Sequence, residues 1–286
     1  MLCSKHLPAL FCFLLIMVLH HAPAQGRSLR TDSIYSLEKV QLGGIPQTIL
    51  TTGTDSSKPV LLILHGGPGY TEMALFRIFN RALDNDYVVV NWDQRGAAAS
   101  YDSTIPVSSM NIDQFVSDAH ELVTLLKQRF KKDKIFLLGH SWGTSLGLLL
   151  VQRYPQDFAA YIGVGQIVNM MDNERISLQY TIQMASKTHD TTAIRELSTI
   201  AHRYPAKNNS SLDDLYLQRK WLSYFGGAVR GHRDYSYIFS RIKPGDPLFN
   251  EKQVEAGEAF SMRTLWKQLM NIDFLTTAPV LKVPVY

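Results

Sequence analysis

The pentapeptide Gly139-His140-Ser141-Trp142-Gly143 constrains this chain more than any other stretch of it. It fits Gly-x-Ser-x-Gly, a turn that joins a strand to a helix so tightly that glycines are needed on both sides of the serine. The pattern by itself is common, so its surroundings decide. Before it stands Lys134-Ile135-Phe136-Leu137-Leu138, a short apolar run of the kind that forms a buried parallel strand. After it, Leu146, Leu148, Leu149, Leu150 and Val151 make a helical apolar stretch that stops at Tyr154-Pro155. Strand, sharp turn and helix follow in the required order, which makes Ser141 a candidate nucleophile. The plainer alternative is a Gly-rich helix start in which Ser141 only caps.

Other segments repeat the alternation. Residues 35–41 and 47–51 flank Leu42-Gly43-Gly44-Ile45-Pro46 and read as a hairpin. Residues 59–64 are continuously apolar, and a helix is expected over 72–83. A further apolar strand over 87–92 leads into Asp93-Gln94-Arg95-Gly96. Asn111 can cap a long helix with Phe115, Ala119, Leu122 and Leu126 on one face. Another strand is expected over 158–165. Strands alternating with helices predict an α/β fold, a mostly parallel sheet with helices on both faces.

The pattern changes at Gln166. From there to about Asn271 helix formers dominate, as in 174–187 and 192–202, a loop is expected at Lys207-Asn208-Asn209-Ser210-Ser211, and aromatics crowd 216–239. Strand character returns over 280–286, which favours a helical cap inserted into the sheet over an independent helical domain. The expected organisation is a core over 25–165, a cap over 166–271 and a return to the core over 272–286.

The chain has 286 residues, 45% hydrophobic and 19% charged, the composition of an ordinary globular protein. A formal net charge of +4 with no long basic run argues against nucleic-acid binding. The N-terminus has Lys5 and His6, an apolar run over 10–19, and Ala22-Pro23-Ala24 as a small-x-small site. The run falls short of the roughly 20 residues of a membrane span. A signal peptide over 1–24, cleaved near Ala24, is expected, giving a secreted or periplasmic protein without a stable span. Both cysteines, Cys3 and Cys12, lie in that segment, so no disulfide is expected in the mature chain.

The chemistry begins at His65-Gly66-Gly67-Pro68-Gly69, directly after a buried strand. Acyl transfer needs donors aimed at a developing oxyanion, and glycines let backbone N–H groups approach it. Gly67 and Trp142 are the expected donors, with Gly66 the near alternative to Gly67. Asp93 and Arg95 are expected to organise their loop.

Taken together, His65-Gly66-Gly67-Pro68-Gly69, Asp93-Gln94-Arg95-Gly96 and Gly139-His140-Ser141-Trp142-Gly143 resemble the proline iminopeptidases of the α/β-hydrolase fold. The resemblance covers about residues 35–165 and is looser in the cap. It implies a Ser-His-Asp triad, a helical cap whose carboxylates hold a free amino terminus, and an aminopeptidase that releases an N-terminal residue, often proline, from a small peptide. Related amide or ester substrates, as for an esterase or lactonase, or a non-catalytic binding role, are the alternatives. Glu174 and Glu258 are candidates for the amine contact, with surface placement as the plain reading of each, and Gln166 and Asn169 are candidates for the pocket lining. No metal or cofactor is expected.

In this fold the triad acid and histidine follow the serine. Only His189, His202 and His232 come after Ser141, all in the cap, and Asp172 is the one candidate for an acid placed before it. The expectation is that the acid and histidine are not in this chain, that the last strands and helix of the sheet are missing, and that the chain as given turns over poorly.

Overall fold

A computed structural model describes residues 33–207, 211–229 and 231–286. All lie in one compact unit, Asp32–Tyr286. The signal peptide expected over 1–24 and the middle of the loop expected at Lys207-Asn208-Asn209-Ser210-Ser211 fall outside the described residues.

The chain opens with strands β1 (Ile34–Leu42) and β2 (Ile45–Gly53), joined by Gly43-Gly44. Both glycines have positive φ, +54° and +79°, as a two-residue hairpin turn requires. Next come β3 (Val60–Leu64), helix α1 (Met73–Asn80), β4 (Val88–Trp92), α2 (Ile112–Arg129), β5 (Ile135–His140), α3 (Trp142–Arg153) and β6 (Phe158–Val164). The sheet order is β1-β2-β4-β3-β5-β6. Strands β1, β2 and β4 pair antiparallel, and β4, β3, β5 and β6 run parallel.

Every residue of β3 and β4 is buried, in keeping with sequences that are apolar throughout β3 and, but for Asn91, throughout β4. Leu62 and Leu64 join the main core with Phe115, Val116, Ala119, Leu122, Val123 and Leu126 of α2. Burying each of the larger of these side chains contributes about 1.5–3 kcal/mol. Leu61 and Ile63 point the other way, into a smaller cluster closed by Phe76 of α1 with Leu83, Phe136 and Leu138. Helix α1 is shorter than the expected 72–83. After Asn80 the chain tightens into a 3-10 turn, Arg81–Asn85, whose Asp84 carbonyl accepts the Thr54 backbone N–H at 3.0 Å.

Beyond β6 lie α4 (Met170–Lys187), α5 (Thr191–Ser198), α6 (Leu212–Tyr224), α7 (Ser236–Phe239), α8 (Glu251–Leu269) and α9 (Phe274–Thr277). Helices α4, α5 and α6 pack on one another. Helix α8 instead lies against loops of the sheet. A Cβ on Gly257 would meet Gly96 O at 2.8 Å, Ala98 N at 2.8 Å and Gly69 O at 3.1 Å, so only glycine allows this approach. The chain then returns to the sheet: Val285 pairs in parallel with Tyr161, and Tyr161 N–H donates to Pro284 O at 2.9 Å.

Candidate active site

In an open parallel sheet, ligands bind beyond the carboxyl ends of the strands where the order reverses. Here β4 lies on one side of β3 and β5 on the other, and Leu64 is in register with Gly139. The loop after β3 and the turn after β5 are thereby set side by side.

Ser141 occupies that turn with φ +50° and ψ −118°. A positive φ is strained for a non-glycine residue and persists only where neighbours hold it. Its backbone N–H donates to Val164 O at 2.9 Å, and its carbonyl accepts the Thr144 N–H at 2.8 Å and hydroxyl at 2.5 Å. A Cβ on Gly143 would collide with the Leu64 carbonyl oxygen, and one on Gly139 would meet Gly143 O at 2.6 Å. Both glycines of the pentapeptide are therefore steric requirements of the turn.

The loop 65–69 is held from three directions. His65 is buried, and its two ring nitrogens are both engaged, Nδ1 with Gly66 O at 2.6 Å and Nε2 with the Gln94 N–H at 3.1 Å. Accepting at Nε2 requires the neutral ring with its proton on Nδ1, and burial pushes the His65 pKa down in the same sense. The Gln94 side chain donates to His65 O at 3.1 Å and accepts the Trp142 indole N–H at 2.9 Å, bridging loop and helix. Asp93 accepts the Thr71 hydroxyl at 2.6 Å, and burial raises its pKa to about 7. Arg95 is fully buried in a two-pronged ion pair with Asp118, at 2.8 and 3.1 Å. Asp93 and Arg95 organise loops, as expected.

The backbone N–H of Gly67 has no partner among the described residues, and that of Trp142, at the first turn of α3, has none within the helix. The Gly66 N–H is taken: it donates to Glu72 Oε1 at 3.1 Å. The same oxygen meets His140 Nδ1 at 2.5 Å. That partnership raises the His140 pKa, against a smaller opposing effect of burial. The sequence reading missed Glu72. It precedes α1 without capping it, and its carboxylate turns back to the loop.

Glu258, on α8, is brought beside Gly69, whose Cβ would meet Glu258 Cα at 2.8 Å. Its carboxylate is half-buried, and burial raises its pKa. Tyr70 lies within the field of both Glu258 and Glu72, and its ring packs on Phe239 and Phe249 at centroid distances of 5.8 and 6.3 Å. Glu174 is different. It has no exposed surface, and its oxygens are held by Tyr204 at 2.5 Å, Arg219 at 2.5 Å and Asn173 at 3.0 Å. The expectation that it faces a substrate is corrected: it is an internal tie between α4 and α6. Gln166 accepts the Tyr161 hydroxyl at 2.7 Å and donates to Ile167 O at 2.7 Å, so its amide supports the end of β6. Asn169 caps α4 by accepting from Asp172 N, and Asp172 pairs with Arg175 on the surface.

Among the described residues no histidine hydrogen-bonds to Ser141 Oγ, no group of three or more His, Cys, Asp or Glu side chains could hold a metal ion, and no helix is long and apolar enough to cross a membrane.

A mostly parallel sheet with helices on both faces and a strained serine between β5 and α3 defines an α/β-hydrolase fold. A solved proline iminopeptidase of Mycobacterium smegmatis shares that fold, with TM-score 0.59 and 19% identity over 87% of this chain and 80% of its own. The family model described as "Serine aminopeptidase, S33" matches residues 55–226, and the chain belongs to that family. The "Probable aminopeptidase YbaC" of Bacillus subtilis is 30% identical over 254 residues, 88% of this chain and 79% of the relative. A proline iminopeptidase of Heyndrickxia coagulans is 34% identical over 102 residues, 36% of this chain and 33% of the relative. The chain thus spans most of the first relative and about a third of the second.

Proposed function

We propose that this protein is a serine aminopeptidase that releases an N-terminal residue, of the proline type, from small peptides. The observation that carries the reading is the strained Ser141 at the end of β5, beside two backbone N–H groups, on Gly67 and Trp142, that have no partners among the described residues. Ser141 Oγ attacks the carbonyl carbon of the first residue. The carbonyl oxygen gains negative charge, and the Gly67 and Trp142 N–H groups donate to it. Collapse of the tetrahedral species breaks the amide bond and leaves an acyl-enzyme on Ser141, which water hydrolyses. Proton transfer to and from Ser141 is the task of a histidine base, which belongs after the cap in this fold.

Glu258 is the proposed partner of the substrate's ammonium group. It is half-buried, makes no ion pair among the described residues and stands beside the glycine loop. A carboxylate in such a place gains from a cation that replaces lost water. The aromatic set Tyr70, Phe239 and Phe249 offers an apolar wall for the first side chain. The leader, with cleavage near Ala24, fits an exported enzyme, and the N-terminal sequence of the mature protein tests that part.

The activity is tested with proline-arylamide, its N-blocked counterpart and a simple ester. Hydrolysis confined to free-amine substrates, with a fluorophosphonate label on Ser141, supports the aminopeptidase. Equal turnover of blocked substrates leaves an esterase-type hydrolase, and absence of label with full binding of peptide leaves a binding protein. Ser141→Ala removes all turnover if the assignment holds.

A further inference from the structure

Three side groups converge on the space above the Gly66 Cα. A Cβ placed there would meet Glu72 Oε1 at 3.2 Å, His140 Nδ1 at 3.2 Å and Ser141 Cβ at 3.3 Å. Glu72 reaches this point from the start of α1, 6 positions along the chain from Gly66 and 68 from His140. One carboxylate oxygen thus joins the glycine loop to the residue next to Ser141.

We propose that Glu72 is a positioning residue: its carboxylate clamps the Gly66 N–H to the His140 ring, sets the spacing between the loop and Ser141, and leaves the oxyanion to the N–H groups of Gly67 and Trp142. The catalytic consequence rests on the serine-hydrolase reading, while the clamp itself does not. Two features favour the assignment. An N–H already donating to a carboxylate is a poor donor to a second anion, which separates Gly66 from Gly67 as the loop's donor. A lone carboxylate beside a developing oxyanion would also oppose it, and a protonated His140 balances that charge. Among the described residues the titratable groups set against His140 are Glu72, from the start of α1, and His65, from the end of β3, which is neutral. The balance is complete while His140 keeps its proton. It is lost as pH rises through the His140 pKa, leaving one negative charge beside Ser141.

The test uses the full chain, isotope-labelled, as wild type, Glu72→Gln and His140→Gln. In the wild type the Gly66 amide resonance should follow the His140 titration. In Glu72→Gln the His140 midpoint should fall towards the ordinary histidine range. Each variant should slow fluorophosphonate acylation of Ser141 by about 10- to 100-fold. Where turnover is measurable, kcat should fall with KM unchanged, and the alkaline limb of the wild-type pH profile should shift in Glu72→Gln. An unmoved His140 midpoint and Gly66 amide overturn the clamp. Moved resonances with unchanged acylation overturn the positioning role. A raised KM for free-amine substrates with kcat intact overturns it in favour of a substrate contact. If wild-type Ser141 does not react at all, the titrations alone decide the clamp. If Glu72→Gln does not fold, His140→Gln decides through acylation and the Gly66 amide, since its side chain is only half-buried.

Discussion

The side-chain carbonyl of Gln94 accepts the Trp142 indole N–H at 2.9 Å, while its amide group donates to the His65 carbonyl at 3.1 Å. One buried amide therefore holds the helix that begins after Ser141 against the loop over 65–69. Gln94→Leu leaves the Trp142 N–H and the His65 carbonyl without partners, which costs about 1–3 kcal/mol for each group that water cannot reach. A shift of loop against elbow of about 1 Å also reduces turnover by up to about 100-fold. Thermal melting and kcat of the variant check the two effects separately.

The Arg95–Asp118 pair predicts a larger loss. Asp118 also accepts from Gln47 and Gln114, both at 2.7 Å, and neither member of the ion pair has more than 1% of its side chain exposed. Asp118→Asn leaves a guanidinium buried without its counter-charge, for a loss of about 3–5 kcal/mol. The double variant Arg95→Met, Asp118→Leu loses less than Asp118→Asn, because no charge is then stranded. Urea denaturation of the variants checks the order.

Asp93 predicts a pH dependence of stability. Its pKa rises from 3.8 to about 7 on folding, chiefly through burial, against the smaller opposing effects of Thr71 and Ala99. Folding therefore favours the protonated form. The contribution is complete below the unfolded pKa and is lost as pH rises between about 4 and 7. Asp93→Asn should be less dependent on pH across that window and more stable than wild type at pH 8. Denaturation midpoints at pH 4, 6 and 8 check the sign. A wild type that gains relative stability with rising pH refutes it.

Two glycines with different reasons to be glycine should respond differently to alanine. Gly44 has φ +79° and open space around a Cβ, so Gly44→Ala costs only the left-handed backbone, roughly 1–2 kcal/mol. At Gly143 the new methyl group would overlap the Leu64 carbonyl oxygen, so strand and helix must part. Gly143→Ala should lose about 3 kcal/mol or more and all reaction at Ser141. Melting temperature and fluorophosphonate labelling distinguish the pair.

Glu258 should affect substrate binding and little else. Glu258→Gln keeps the volume and removes the charge, so KM for free-amine peptides should rise about 10- to 100-fold, with a much smaller effect on N-blocked esters. Equal changes for both substrates would show that Glu258 supports the fold instead. Steady-state kinetics on the two substrates decide it.

Short-range signals were enough to read the frame of this protein. The hairpin glycines, the largely apolar strands and the pentapeptide around Ser141 each specify a local conformation, so the sheet, its coverage by helices and the strained turn followed from sequence. The cap residues did not. Glu174 and Glu258 look alike as isolated glutamates, yet Arg219 and Tyr204 neutralise one inside a helix bundle, while Gly257 lets α8 carry the other to Gly69. Glu72 gained its place because β3 and β5 are in register at Leu64 and Gly139, which sets Gly66 beside His140. Such contacts join residues tens of positions apart, and only packing decides which distant partner a polar side chain meets. The local chain chose the turn at Ser141, and the tertiary structure chose the groups that surround it.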